Sequence, residues 1–281
     1  MDLDLRDCPG DTHNSTATRV KCTISDGIAE VILDRPKKMN ALDPAMFEEL
    51  IRTGQKLRKN PAVRAVVLAG SGSVFCAGLD FEIFAAMKTA QDLDALLGPP
   101  MYSGDGPARA RGQQAAYIWT EIEAPVIAAV HGAAFGGGLQ LALGADIRIV
   151  GPDTKLSVME IKWGLVPDMT GTQVLPNLIG RDRAKELTFT GRVVDGHEAV
   201  SIGLATQTAD DPLVAARTLA RNIAQKNPDA IRAAKELINV AGVVPLDRGL
   251  AAEQEAIRRL IGSPRQVQET QAHLPRHNPR S

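Results

Sequence analysis

The stretch from residue 124 to residue 146, APVIAAVHGAAFGGGLQLALGAD, constrains the fold most strongly. Its apolar run VIAAV at 126–130 is short and bounded by a proline and a glycine, which predicts a buried strand. The run LQLAL at 139–143 predicts a buried helix. Between them, three consecutive glycines at 136–138 leave backbone N–H groups uncovered at the positive end of the helix dipole. The stretch therefore predicts a place that receives an anion, or an oxygen that becomes negative during a reaction.

Other apolar runs predict an α/β fold with a mostly parallel sheet. Two of them, 20–25 and 28–33, flank Asp26-Gly27, and such a pair between apolar runs is a strong hairpin signal. A helix is predicted over 44–58, with Asp43 placed to cap its first turn. Further strands are predicted at 63–69, 146–150, 155–158 and 204–207, and further helices at 81–87, 113–122, 170–178, 181–188, 210–226, 228–240 and 247–261, with a short one from 195. Strands that alternate with helices favour parallel pairing.

The sequence divides into four parts. Residues 1–18 are predicted to form a disordered leader, 19–208 an α/β core, 209–265 a helical C-terminal region and 266–281 a loose end. Within the core, residues 88–112 show weak periodicity and are rich in glycine and proline. We expect them to form a mobile segment that shapes a pocket.

Composition excludes several classes of protein. Of the 281 residues, 44% are hydrophobic and 23% charged, which suits a soluble globular protein, and the net charge of -1 gives no basis for a nucleic-acid partner. Cys8, Cys22 and Cys76 form no metal-binding spacing and no even disulfide set, which favours a reducing compartment. No apolar run reaches the ~18 residues of a membrane helix, and the acidic N-terminus is unlike a signal peptide. We expect a cytoplasmic protein with no metal and no membrane partner.

A second glycine-rich loop, GSGSVFCAGLD at 70–80, follows the predicted strand 63–69. It is not a dinucleotide-binding fingerprint, because Phe75 replaces the third glycine, nor a P-loop, because no Lys-Ser/Thr pair follows Gly78. A single loop of this kind is most often a turn. Here two such loops each follow a buried strand. If the strands are parallel neighbours, both loops lie at their carboxyl ends, where ligands bind in α/β sheets. Each loop can then donate one N–H to a shared oxygen.

Four stretches together carry a family resemblance: RPKKMNALD at 35–43, GSGSVFCAGLD at 70–80, HGAAFGGGLQLALGADIRI at 131–149, and the run from LSVMEIKWGLVPD to TGTQVLPNLIG at 156–180. With them the chain resembles the crotonase (enoyl-CoA hydratase/isomerase) superfamily over about residues 20–262. The resemblance implies a ββα superhelix, the ClpP/crotonase-like spiral, with a C-terminal helical trimerisation region and assembly as a homotrimer or a dimer of trimers. It also implies an acyl-CoA thioester as substrate, with coenzyme A as part of that substrate and no separate cofactor.

The resemblance assigns binding roles to residues of both loops. The backbone N–H groups of Leu79 and Gly137 match the pair that grips the thioester oxygen as it becomes an enolate. The positions that match coenzyme A and substrate contacts are Lys37, Lys38, Ala77, Asp80, Phe81 and Glu82. Two adjacent lysines suit phosphate binding, although a solvated surface pair is the alternative. Cys76 has no histidine partner in the sequence and is interpreted as a packing residue.

The chain departs from the family's hydratase pattern at one of two acids. A syn-hydratase of this family uses two glutamates, and the matching positions here hold Gln140 and Glu160. A glutamine exchanges no proton near neutral pH and can only orient a neighbour. Glu160 is the candidate base, and its apolar neighbours predict a raised pKa. The alternative is a surface carboxylate paired with Lys162 or with a nearby arginine.

Asp168 is the second departure, eight residues after Glu160. Hydratases commonly have glycine there, whereas the dienoyl-CoA isomerases have an aspartate that acts as a catalytic acid/base. The match is partial, because those isomerases also carry an aspartate where Gln140 stands. Asp168 also precedes a helix predicted from Thr170 and is a candidate for its N-cap.

These residues lead to one expected activity and two alternatives. We expect double-bond isomerisation of an enoyl-CoA or dienoyl-CoA, with Glu160 moving protons, Asp168 as second proton carrier and Gln140 orienting. The first alternative is an enoyl-CoA hydratase in which Asp168 replaces the missing glutamate. The second, from another class, is an acyl-CoA binder without catalysis.

Overall fold

The computed structural model describes residues 18–58, 60–89, 93–102 and 106–274. The strands among these residues are β1 (Val20–Ser25), β2 (Ile28–Leu33), β3 (Ala65–Gly70), β4 (Val126–Val130), β5 (Ala133–Phe135), β6 (Ile147–Val150), β7 (Lys155–Ser157) and β8 (Gln207–Thr208). The helices are α1 (Pro44–Arg58), α2 (Phe81–Met87), α3 (Leu93–Leu97), α4 (Arg111–Glu121), α5 (Gly137–Leu143), α6 (Gly171–Ile179), α7 (Arg181–Thr190), α8 (Gly196–Ser201), α9 (Pro212–Ala224), α10 (Pro228–Val240), α11 (Leu246–Leu260) and α12 (Pro264–His273). The α/β class predicted from the sequence is confirmed.

Six of the described strands form the central sheet in the order β1-β2-β3-β4-β6-β8. The first two are antiparallel and are joined at Asp26 and Gly27, which both have positive φ, as a two-residue hairpin turn requires. All other neighbours in this sheet pair in parallel, as predicted. β5 and β7 form a separate parallel pair. This pair lies beside the loop at 70–80, because Cys76 forms an isolated bridge with Ala134.

Helices cover both faces of the sheet centre, which explains the uninterrupted apolar runs. Every residue of β3 and β4 is buried. On one face α1 and α4 pack together over the larger core. On the other, α9 presents Ala216 and Ala220 against Val67 and Ile127. Strands buried on both faces carry no polar alternation, as is typical of parallel sheets.

Capping side chains decide where two of the helices begin. Asp43 Oδ1 accepts the backbone N–H of Met46 at 2.8 Å, so the predicted cap of α1 is confirmed. α4 begins at Arg111, two residues before the predicted start. The side chain of Gln113 explains this difference, because its Oε1 accepts the N–H groups of Arg109 and Ala110 and so stabilises the turn that precedes it.

The segment 88–112 is tied to α4 where the structure describes it. Gln114 is buried, accepts the N–H of Met101 at 2.8 Å and donates to the carbonyl of Tyr102 at 2.7 Å. α3 precedes these contacts and places Leu97 against the core. The segment therefore contributes to a cavity wall, whereas its mobility stays a prediction.

The predicted loose end at 266–281 is wrong for residues 266–273, which belong to α12. Ser263 starts this helix, because its Oγ accepts the N–H of Gln266 and Pro264 occupies the first turn. β8 is also shorter than predicted, since only residues 207 and 208 pair with β6. The other terminal predictions, for 1–17 and 275–281, lie outside the described residues. No helix of the described chain is long and apolar enough to cross a membrane.

Candidate active site

A cleft of about 630 Å³ opens where the two glycine-rich loops meet. One loop follows β3 and reaches Leu79, and the other follows β5 and leads into α5 at Gly137. Glu160, Asp168 and Met169 complete the wall of the cleft around these loops. Both loops that the sequence analysis singled out therefore border one cavity.

The loop at 76–80 is held by backbone hydrogen bonds between two partners. Cys76 donates its N–H to Ala133 and accepts the N–H of Phe135, each at 3.1 Å, so the loop lies along β5. Two residues further, Leu42 donates its N–H to the carbonyl of Gly78 at 2.8 Å. The chain is thus fixed on both sides at the edge of the cleft.

This pairing determines the direction of the Leu79 N–H. Asp80 donates its N–H to the carbonyl of Leu42 at 3.0 Å, and the carbonyl of Gly78 also faces Leu42. In a trans peptide the carbonyl of one residue and the N–H of the next point in opposite directions, so the N–H of Leu79 points away from Leu42. Leu79 lines the cleft, which leaves this N–H available to a ligand there.

Gly78 brings the first loop into close contact with the second. It has a φ of +92°, and a methyl group in place of its hydrogen would lie 2.6 Å from the carbonyl oxygen of Phe135 and 3.7 Å from the amide nitrogen of Gly137. Only glycine fits such an approach. Gly137 is the first residue of α5, so the helix itself leaves its N–H unpaired. The two predicted N–H donors therefore border the same small region.

The remaining glycines of the triplet are needed for two different reasons. Gly136 has a φ of +50° and a ψ of -120°, a conformation that residues with a Cβ rarely adopt. Gly138 faces the first loop, where an added Cβ would lie 2.4 Å from the carbonyl oxygen of Cys76. The triplet thus combines an unusual backbone turn with close packing of α5 on the first loop.

Glu160 lies in a 3-10 turn, Glu160–Trp163, with its carboxylate beside α5. The Nε2 of Gln140 donates to its Oε1 at 2.6 Å, and the residue is only 9% exposed. Its Oε2 is buried and has no hydrogen-bond partner among the described residues. An unpaired buried carboxylate oxygen is unusual in a folded protein, and it distinguishes Glu160 from carboxylates that are held by ion pairs.

Gln140 is held in one orientation by three hydrogen bonds. Its Oε1 accepts the backbone N–H groups of Met169 and Gly171, each at 2.9 Å. With the oxygen engaged in this way, the amide nitrogen has to face Glu160. The orienting role expected of Gln140 therefore matches its contacts.

The surroundings of Glu160 disfavour its charge. Burial is the largest influence and raises its pKa above the ordinary value. The hydrogen bond from Gln140 lowers the pKa in part, and the negative charge of Asp168 raises it again. A carboxyl group with a raised pKa exchanges protons more readily near neutral pH.

Asp168 faces the same cleft and is not a helix cap. The N-cap of α6 is Thr170, with a φ of +77° and no side-chain cap, and the N–H of Gly171 is taken by Gln140. The alternative interpretation of Asp168 as an N-cap is therefore wrong. Asp168 is open to the cleft, yet the surrounding protein atoms desolvate its carboxyl group and raise its pKa.

The predicted coenzyme A contacts lie at the outer mouth of the cleft. Lys37 and Lys38 are exposed in a short 3-10 turn, and Lys38 Nζ lies 3.2 Å from Glu82 Oε1. Ala77 and Phe81 also line the mouth. All of these residues line the cleft, and their contact with coenzyme A stays a prediction.

Asp80 differs from the other predicted contacts, because its side chain serves the fold. It is buried, its Oδ2 forms an ion pair with Arg35, and its Oδ1 accepts the N–H of Glu82 at 2.9 Å. It is thereby the N-cap of α2.

Sequence reasoning missed an aromatic cluster at the mouth. The rings of Phe84 and Trp163 stack with centroids 4.6 Å apart, and Phe81 meets Trp163 edge-on at 5.9 Å. Phe81 is 67% and Trp163 48% exposed, which is high for large aromatic side chains. The stacked residues Phe84 and Trp163 are 79 positions apart in the sequence, so no local pattern predicts their contact.

Two further expectations concern the role of Cys76 and the binding of a metal ion. Cys76 is fully buried, its Sγ donates to the carbonyl of Asn40 at 3.1 Å, and burial raises its pKa to about 12. Its interpretation as a packing residue is confirmed. Within the described ranges, no group of three His, Cys, Asp or Glu side chains could hold a metal ion.

The fold and the two loops define a class that comparison with known proteins identifies. The sequence model of the family "Enoyl-CoA hydratase/isomerase" matches residues 23–274. The chain belongs to this family, and the predicted crotonase-type fold is confirmed. It is therefore an enzyme of acyl-CoA metabolism.

Individual relatives resemble the chain over most of its length. YngF of Bacillus subtilis is 37% identical over 240 residues, which are 84% of this chain and 87% of that protein. The mitochondrial methylglutaconyl-CoA hydratase of Mus musculus is 32% identical over 244 residues, 84% of this chain and 74% of the relative. The crystal structure of an enoyl-CoA hydratase from Bacillus anthracis superposes with a TM-score of 0.81 at 31% identity, covering 90% of this chain and 95% of that one.

Proposed function

We propose that the protein moves a carbon–carbon double bond within an enoyl-CoA or dienoyl-CoA. One observation carries the proposal. At the two positions where this family's hydratases hold a pair of glutamates, Gln140 is fixed as a hydrogen-bond donor and Glu160 alone is an acid. A single carboxylate with one unpaired oxygen suits transfer of a proton between two carbons, which consumes no water.

The reaction begins with the thioester oxygen accepting the N–H groups of Leu79 and Gly137. Glu160 Oε2 takes a proton from C2 of a 3-enoyl-CoA, the C–H bond breaks, and its electron pair delocalises onto the thioester oxygen. The two N–H groups stabilise the negative oxygen. The proton then returns at C4, from Glu160 or through Asp168, as the double bond forms between C2 and C3.

The outer mouth suits the nucleotide end of the substrate. Lys37 and Lys38 supply positive charge for phosphate groups, and the aromatic rings of Phe81 and Trp163 supply exposed apolar surface beside them. Coenzyme A enters as part of the substrate, and the proposal includes no separate cofactor.

A second candidate is addition of water to a 2-enoyl-CoA. Glu160 and Asp168 line one cleft, and burial raises the pKa of both, as a two-carboxylate mechanism requires. The name of the Mus musculus relative, a hydratase, favours the same chemistry. In this case Asp168 takes the role of the missing glutamate.

Assembly and location are further parts of the proposal. Large apolar residues on the C-terminal helices are exposed, among them Ile238, Leu246 and Ile261. Exposed large apolar side chains favour association, and we propose a homotrimer or a dimer of trimers in the cytoplasm.

The two activities are separated by a direct assay of purified protein. We expect turnover of trans-3-hexenoyl-CoA to its 2-enoyl isomer, and loss of about 10²–10⁴ in kcat for Glu160→Gln, since general acid–base catalysis contributes that much. Hydration of crotonyl-CoA is expected to be far slower. Wild-type hydration at about 1 s⁻¹ or faster, within the ordinary range for enzymes, rejects isomerisation in favour of the second candidate.

A further inference from the structure

The two ends of the cleft differ sharply in polarity. The outer end carries the exposed charged residues Lys37, Lys38 and Glu82. The inner end is formed by buried residues without a polar side-chain group other than the methionine thioether, namely Leu42, Phe47, Leu97, Gly112 and Met169. A ligand that fills the cleft therefore has one end in a charged, solvated environment and the other in an apolar, buried one.

Met169 connects the inner end to the site of chemistry. A Cβ added at Gly137 would lie 2.9 Å from Met169 Sδ and 3.0 Å from Leu42 Cδ1. A Cβ added at Gly112 would lie 3.2 Å from Met169 Cγ. One methionine side chain thus spans the interval between the thioester-binding glycine and the wall formed by α4.

The charges that border the cleft disfavour an anion at its inner end. Among the described lining residues the only cations are Lys37 and Lys38, and both lie at the outer mouth. The acids Glu160 and Asp168 stand at the centre. Arg111 precedes Gly112 but does not line the cleft, and its Nε donates to the carbonyl of Pro99 at 3.0 Å. A carboxylate at the inner end would lose water without gaining a partner.

We propose that this active site selects acyl groups with an uncharged, apolar tail and rejects acyl groups that end in a carboxylate, with Gly112 setting the depth of the inner end. The proposal rests on the acyl-CoA chemistry proposed above and names its substrate class. It separates this chain from its Mus musculus relative, whose name specifies a methylglutaconyl group.

The test measures binding rather than turnover, by calorimetry on the full-length protein with saturated acyl-CoAs. We expect octanoyl-CoA to bind at least about tenfold more tightly than butyryl-CoA, because each buried methylene is worth about fourfold. Pentanoyl-CoA and glutaryl-CoA have equal carbon number and form the matched pair for charge. We expect glutaryl-CoA to bind at least about tenfold more weakly.

Two variants test the assignment of Gly112. Gly112→Leu reduces the space at the inner end, because its side chain meets Met169, so octanoyl-CoA is expected to lose its advantage over butyryl-CoA. The control Ala85→Leu adds the same side chain to an exposed position on α2 and is expected to change neither affinity. Should Gly112→Leu fail to fold, Leu97→Ala opens the same end and is expected to shift the preference towards longer chains.

The outcomes separate this inference from the proposed function. Equal affinity for glutaryl-CoA and pentanoyl-CoA, or for octanoyl-CoA and butyryl-CoA, overturns the inference even where the enzyme isomerises enoyl-CoA. The expected affinities together with no isomerase activity overturn the proposed reaction and leave the inference standing. Failure to bind any acyl-CoA overturns both.

Discussion

Gln140 donates a hydrogen bond from its Nε2 to Glu160 Oε1 at 2.6 Å, across 20 residues of sequence. The same amide accepts two backbone N–H groups through its oxygen, from Met169 and Gly171. The Gln140 amide therefore binds the start of α6 and orients the Glu160 carboxylate. It also stands where the family's hydratases have their second carboxylate. The predictions below test these relations and the loop that faces them.

Replacing Gln140 by glutamate is expected to convert part of the activity to hydration. The new carboxylate would face Glu160 Oε1 at hydrogen-bond distance. Two carboxylates that lie so near each other share one proton. The pair then binds and activates a water in the cleft, as in the two-glutamate members of the family. Water addition to crotonyl-CoA, measured against the wild type, is the readout.

Gln140→Ala provides the control for that gain. It introduces no acid and leaves two buried N–H groups without an acceptor, which costs about 1–3 kcal/mol each. We expect a lower free energy of unfolding and no hydration. Hydration by the alanine variant, or none by the glutamate variant, contradicts the assigned role.

Activity is expected to rise with pH through the pKa of Glu160, because only the ionised form removes a proton. Burial raises that pKa above the ordinary glutamate value, so the acid limb of the kcat/KM profile is displaced upwards. Glu160→Asp, which keeps the acid on a shorter side chain, is expected to retain an acid limb at lower kcat. An acid limb of the kcat/KM profile at the ordinary carboxylate pKa would contradict the burial of the Glu160 carboxyl group.

Glu160→Gln is expected to stabilise the protein near neutral pH while removing activity. A carboxyl group with a raised pKa in the folded state contributes stability at low pH that is lost as pH rises from its unfolded towards its folded pKa. The neutral glutamine avoids this loss. Thermal unfolding should therefore show a higher Tm for the variant at pH 7 and a smaller difference at pH 4, whereas a lower Tm at pH 7 argues against it.

Gly78→Ala is expected to lower kcat by about 10²–10³, the usual effect of losing one oxyanion-hole donor. Its added Cβ would lie 2.6 Å from the Phe135 carbonyl oxygen at a φ of +92°, so the Leu79 N–H has to move. Gly203→Ala is the matched control, with a φ of +85° and a carbonyl oxygen at 2.9 Å. Both variants should lose stability, but only Gly78→Ala should lose kcat in the folded fraction.

Trp163→Ala is expected to raise KM with little change in kcat. The change removes the stack with Phe84, worth about 0.5–1.5 kcal/mol, and with it apolar surface that lines the cleft. Phe189→Ala removes a comparably exposed ring that does not line the cleft. Steady-state kinetics of the two variants should differ in KM, and a selective fall in kcat for Trp163→Ala would place the ring nearer the chemistry.

Elements whose signals are local are predictable from the chain alone. The Asp26-Gly27 hairpin depends on a turn that these two residues adopt by themselves, and α1 begins where Asp43 can reach the N–H of Met46. The glycine triplet at 136–138 indicates a backbone conformation that residues with a side chain rarely adopt. Helix starts set by a less familiar pattern, such as Ser263-Pro264 before α12, were missed although they are equally local.

Contacts between distant segments were decided only by the tertiary structure. The sequence determined that Glu160 is an acid and Gln140 is not, and the glycines showed where backbone N–H groups lie open. Folding decided that Glu160 keeps one buried unpaired oxygen, that Asp168 faces the cleft instead of capping α6, and that Gly112 and Met169 form its inner end. The physical reason is that burial and side-chain orientation depend on atoms brought together by packing, which no local pattern of residues specifies.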